Sequence, residues 1–100
     1  MLNPVQNIAF SGIYDLMVQN GTPREKINAK SIQTQQIIAK NIVNGYETFN
    51  VVAFNDRIRI VSRTDDPNVI MNLFEAIGGR DLALQYMDKN RQEFRLNINA

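Results

Sequence analysis

Arg57, Arg59 and Arg63 stand at i, i+2 and i+6 in one short stretch, just after Phe54. On an extended chain, residues an even number apart share a face, so the three guanidinium groups project together beside an aromatic ring. Phosphate contacts from arginine and base stacking on an aromatic are two parts of single-strand nucleic-acid recognition. A second cationic set, Lys26, Lys30 and Lys40, is interleaved with Gln33, Gln36 and Asn44 at helical spacing. Lysines for phosphates and amides for adenine edges make up the inventory of a helix that enters the major groove. The plainer reading of both sets is a solvated surface, with long stems covering apolar neighbours and charged heads in water.

The missing residue types limit the chemistry more sharply than those present. The chain has no histidine, no cysteine and no tryptophan. Without histidine, the side chain that titrates near neutrality and serves most often as general base is absent. Without cysteine or histidine, structural zinc, haem, iron–sulfur and thiolate chemistry lose their ligands. Asp65 and Asp66 are adjacent, but a calcium site needs more oxygens at loop spacing, and a helix cap explains Asp66. Ser11 and Ser31 have no partnering base, and Gly78-Gly79 precede no phosphate-loop pattern. No catalytic residue, metal or cofactor is expected, and the chain reads as a non-enzyme.

One hundred residues with 44% hydrophobic and 21% charged residues suit a single globular domain, residues 1–100. The net charge of +1 argues against a global field for nucleic acid or an acidic membrane. No apolar run reaches a membrane span, and the first residues lack the basic start of an export signal, so a cytoplasmic protein is expected. Asn and Gln together make up a fifth of the chain, dispersed rather than in a tract.

Elements must position these side chains. Residues 4–20 read as a helix: Asn3 caps, Pro4 takes the first position, and Val5, Ile8, Ala9, Gly12, Ile13, Leu16 and Met17 follow helical spacing. Residues 23–44 form a second helix, opened by a capping box at Thr22-Pro23-Arg24-Glu25 and closed by Gly45. Ile27, Ser31, Ile32, Gln35, Ile38, Ala39, Ile42 and Val43 share its apolar face, and Ile37 is left on the polar one. Residues 46–63 read as a hairpin turning at Asn55-Asp56, with Ala53 opposite Ile58 and Val51 opposite Ile60. A third helix runs from Asp66-Pro67 through Ile77 to a stop at Gly78-Gly79. The tail admits two readings: a second hairpin over residues 80–98, which is preferred, or a short helix followed by one strand. The expected fold is a two-layer α+β domain in the order α-α-β-β-α-β-β, a helical hairpin on a small antiparallel sheet.

Two short-linked helices and a hairpin ending in basic residues, over residues 4–63, resemble the first half of bacterial histone-like (HU-type) DNA-bending proteins. That resemblance implies DNA binding. The chain departs from the family pattern at Asp65-Asp66-Pro67, where a basic arm with a proline wedge would follow.

The first helix is apolar around most of its circumference, and Phe10, Tyr14, Val18 and Ile37 are the side chains a small core cannot readily hide. Exposed aromatic and aliphatic anchors mark protein association. The leading expectation is therefore a protein–protein interaction module, a homodimer or an accessory or inhibitor-type protein such as phages and mobile elements carry. The rival is a nucleic-acid binder using Lys26, Lys30, Lys40, Phe54, Arg57, Arg59 and Arg63.

Overall fold

A computed structural model describes residues 12–41, 46–64, 66–88 and 93–98. Strand β1 (Gly12–Met17) is followed by helix α1 (Arg24–Asn41), strands β2 (Phe49–Ala53) and β3 (Arg57–Ser62), helix α2 (Pro67–Met87) and strand β4 (Glu93–Arg95). The strands form one sheet in the order β2-β3-β1-β4. β1–β3 and β2–β3 are antiparallel, whereas β1–β4 is parallel. Because β3 lies between β1 and β2, the first half is a split βαβ unit. The inward side chains of the sheet and the buried stripes of the helices form one core, so the domain is α+β, with two helices on a mixed sheet.

The element at residues 12–17 corrects the expected first helix, and residues 4–11, with Phe10, lie outside the described residues. The apolar run satisfies two periods at once. Gly12, Tyr14, Leu16 and Val18 alternate with Ile13, Asp15 and Met17, and pairing on both sides of β1 selects the strand. Among the described residues no helical hairpin precedes the sheet, and the likeness to HU-type proteins loses residues 12–17 of its first helix to a central strand.

The second helix is as expected through Asn41, but it opens at Arg24 on the Pro23 carbonyl, the Thr22 hydroxyl donates to the Gln19 carbonyl instead of forming the expected capping box, and the buried stripe is rotated. Ile27, Ser31, Thr34 and Ile38 face inward, while Ile32 is 57% exposed. Thr34 is fully buried and its hydroxyl donates to the Lys30 carbonyl at 2.8 Å, satisfying its polar group locally. Ile37 is half-buried against the core rather than left on a polar face. The β2–β3 hairpin has the expected register, Ala53 with Ile58 and Val51 with Ile60, closed by the Phe54 N–H donating to the Arg57 carbonyl at 2.8 Å.

Helix α2 starts where expected: Asp66 caps it, accepting from the Asn68 N–H at 3.0 Å, with Pro67 behind it. The glycine pair breaks the helix but does not end it. Gly79, at φ 75° and ψ −165°, occupies a region that only glycine enters readily, and the helix resumes to Met87. The preferred second hairpin is thereby overturned, and the rival reading, helix then strand, is the one observed. Leu82 is buried and Leu84 half exposed, which a helix explains and a strand alternation does not. The sheet is accordingly mixed and not antiparallel. Phe74 sits at the centre of the inner layer, with Tyr14, Tyr86 and Phe94 rings at 5.4, 5.1 and 5.0 Å from its own, all edge-on.

Candidate functional site

The face of the sheet turned away from the helices carries the expected arginines. β1–β3 pairing puts Asp15 directly opposite Arg59, with Arg57 one cross-strand diagonal away. Arg59 donates from Nε to Asp15 Oδ1 at 2.7 Å and from Nη2 to Oδ2 at 2.9 Å. Arg57 Nη1 reaches the same Oδ2 at 3.1 Å. The rest of the Arg57 fork is held by Asp56, Nε to Oδ1 at 3.0 Å and Nη2 to Oδ2 at 3.2 Å. Two guanidinium groups thus meet two carboxylates, and the cluster is neutral. The Asp15 side chain is only 14% exposed. Its carboxyl lies below the ordinary aspartate range, chiefly because Arg59 hydrogen-bonds the charged form, against the opposing effect of burial. Asp56 is lowered by Arg57, while Arg57 and Arg59 are raised by Asp56 and Asp15 respectively.

Around this cluster the face is apolar. Ile13, Val52 and Phe54 are each about two-fifths exposed, at 45%, 39% and 41%. The Arg59 guanidinium carbon stands 5.4 Å from the centroid of the Phe54 ring, a cation–π arrangement. Arg63 follows the end of β3, four residues beyond Arg59, and its backbone N–H donates to the Thr48 carbonyl at 2.9 Å.

Both edges of the sheet are occupied by side chains. On β2, Arg24 donates to the Ala53 carbonyl at 3.4 Å and Gln35 to the Val51 carbonyl at 3.5 Å. On β4, Gln85 accepts from the Arg95 N–H at 2.7 Å and donates to its carbonyl at 3.1 Å, standing in for a neighbouring strand. Edge groups satisfied in this way are poor templates for another strand.

The lysines lie in the other layer. Lys26, Lys30 and Lys40 sit on α1, so the sheet separates them from the arginines and the two cationic sets do not form one surface. Lys30 Nζ donates to Gln33 Oε1 at 3.0 Å and to the Ile77 carbonyl at 3.4 Å, next to the break in α2. Burial holds its ammonium below the ordinary lysine range. Lys26 and Lys30 line an open trough of about 410 Å³, whose remaining walls include Ile32, Gln33, Gln36 and Ile98.

Of the expected protein anchors, Tyr14 is half-buried among the inner-layer rings, Val18 is buried at the end of β1, and Ile37 packs on the core. The structure does not bring these residues together on an exposed surface. Asp15 and Gln85 carry no motif and were missed. The alternation Tyr14, Leu16, Val18 against Ile13, Asp15, Met17 was the available signal for Asp15. Among the described residues, no helix is long and apolar enough to cross a membrane, and no group of three or more acidic side chains is placed to hold a metal. Comparison of the chain with protein-family models, with characterised proteins and with solved structures returns no match in any of the three.

Proposed function

We propose that the chain is a non-enzymatic protein-interaction module that associates with a second copy of itself through the open sheet face. The observation that carries this reading is the neutral Asp56–Arg57–Asp15–Arg59 cluster ringed by exposed Ile13, Val52 and Phe54. Aromatic, aliphatic and arginine side chains with their charges already answered are what the centre of a protein interface contains. A phosphate would have to compete with Asp15 for both guanidinium groups, which disfavours the nucleic-acid reading of the same residues. With the edges capped by Gln85, Arg24 and Gln35, association face to face is easier than strand addition.

The face sets the strength of the contact. Four strands about 4.8 Å apart and at most six residues long, rising ~3.4 Å each, span no more than roughly 15–20 Å in each direction. Such a patch falls short of the ~800 Å² per partner of a standard stable interface, so the expected dimer is a concentration-dependent one. Sedimentation velocity over a roughly hundredfold concentration range tests this by mass action. Mass should rise towards two chains, and Phe54→Glu should hold the protein monomeric at the top of the range. A monomer at every concentration, or a mass shift that appears only with an added oligonucleotide, overturns the proposal.

A further inference from the structure

We infer that Asn20 is a site of spontaneous covalent modification, converted to aspartate and isoaspartate through a cyclic imide formed with the backbone of Gly21. The two residues are exposed and form the turn between β1 and α1. The Thr22 N–H donates to the Gln19 carbonyl at 3.1 Å, and the Thr22 hydroxyl donates to the same oxygen, closing the turn around the pair. Gly21, at φ 87°, takes the third position of that turn, the one a type II turn reserves for glycine.

The chemistry needs only water. The Gly21 nitrogen attacks the side-chain carbonyl carbon of Asn20 and a ring C–N bond forms. The bond from that carbon to the side-chain nitrogen breaks, and ammonia leaves with the proton given up by Gly21. Water then opens the imide at either carbonyl, giving aspartate or isoaspartate. Ring closure requires ψ of Asn20 to rotate until the Gly21 nitrogen faces the side chain. Among the described residues nothing opposes this: neither the Gly21 N–H nor the Asn20 carboxamide is hydrogen-bonded, and even an added Cβ on Gly21 would meet nothing within 4 Å.

Other asparagines are held. Asn41 Nδ2 donates to the Ile37 carbonyl at 2.9 Å within α1, and Asn55 Oδ1 accepts from Arg24 Nη1 at 2.9 Å. Asn50 is paired in β2 and followed by Val51, whose branched side chain crowds the ring. Asparagine is thermolabile in general, and these restraints concentrate the lability at Asn20. The product gains a carboxylate, which takes the formal net charge of the chain from +1 to zero.

The purified chain, held at physiological temperature at neutral and at mildly alkaline pH, is sampled over weeks and digested with trypsin. The peptide of residues 1–24 carries Asn20, and fragmentation in the mass spectrometer assigns the site. The second Asn-Gly pair, Asn44-Gly45, lies outside the described residues and falls in a different peptide. Asn20 should gain the mass of an amide turned to acid severalfold faster than Asn41, Asn50 or Asn55. Isoaspartate should accompany aspartate, and alkaline pH should speed the conversion by deprotonating the attacking nitrogen. Gly21→Ala should slow it severalfold. Alanine is strained at this φ, so circular dichroism checks the variant, and the ranking against Asn41, Asn50 and Asn55 decides if it unfolds. Conversion no faster at Asn20 than at those three, aspartate without isoaspartate, or an unchanged rate in folded Gly21→Ala overturns the inference.

Discussion

The two cationic surfaces of this domain are built on opposite plans. On the sheet face, arginines on β3 are met by Asp15 from β1 and Asp56 from the turn, so charge is cancelled within the chain before any partner arrives. In the α1 trough, the described lining residues are lysines, amides, an alanine and isoleucines, and Lys30 donates to the Gln33 side chain and the Ile77 carbonyl. A neutralised cluster can be covered by another protein surface without stranding a charge, whereas Lys30, held by neutral oxygens, keeps its own. Counting basic residues therefore says little; the position of the carboxylates decides what each surface can bind.

Removing the shared carboxylate should have the largest effect and should break this distinction. Asp15→Ala takes away three charge-assisted bonds and leaves two arginines side by side on β3. Because both guanidinium groups are partly exposed, the expected loss is about 2–3 kcal/mol, short of the cost of unpairing a fully buried ion. Urea denaturation measures it. The same variant should gain salt-sensitive affinity for a single-stranded oligonucleotide, since the sheet face then resembles the basic face it was first read as. An Asp15→Ala protein as stable as the parent would show that the cluster is ornamental.

The next effect sharpens the other half of the comparison. Gly79 lies at a backbone geometry that side chains exclude, and the break it makes sits beside the Ile77 carbonyl that Lys30 caps. Gly79→Ala must strain the backbone or straighten α2, at about 1–2 kcal/mol. It should also loosen Lys30 while leaving the sheet-face cluster intact. The check is thermal denaturation. A Gly79→Ala protein as stable as the parent would mean that the bend does not depend on this glycine.

The contrast also shows why some of the molecule was legible in its sequence. Helix α1, the register of the β2–β3 hairpin and the start of α2 rest on local signals: Pro23 after Thr22, Asn55-Asp56 at the turn, and the Asp66-Pro67 cap. β1 rests on partners forty or more residues away, at residues 57–62 and 93–95. Its own residues fit a helix or a strand, so nothing local could choose between them. Missing β1 hid Asp15, and with it the neutrality of the arginine face. Arg57 and Arg59 do share one side of β3, as their spacing implies, while Arg63 lies beyond its end. Gly78-Gly79 misled for a related reason, because a glycine that ends one helix and a glycine that bends it look alike until the packing of Leu82 and Tyr86 is known.

The smallest effect is one of pH, and it isolates the sheet-face cluster. Asp15 has a folded pKa below its ordinary value, held there first by the hydrogen bonds of Arg59. The folded state therefore binds fewer protons than the unfolded chain across the interval between the two pKa values. The stabilisation by this carboxylate is fully present above the unfolded value of about 3.8 and is lost as pH falls through the folded one. Stability of the parent minus that of Asp15→Ala should accordingly be constant from neutrality to about pH 5 and shrink below it. Chemical denaturation at a series of acidic pH values reads the difference. A gap between the parent and Asp15→Ala that stays constant down to about pH 2 would mean the carboxylate is not charged against the arginines, and the contrast between the two surfaces would fail at its sheet-face end.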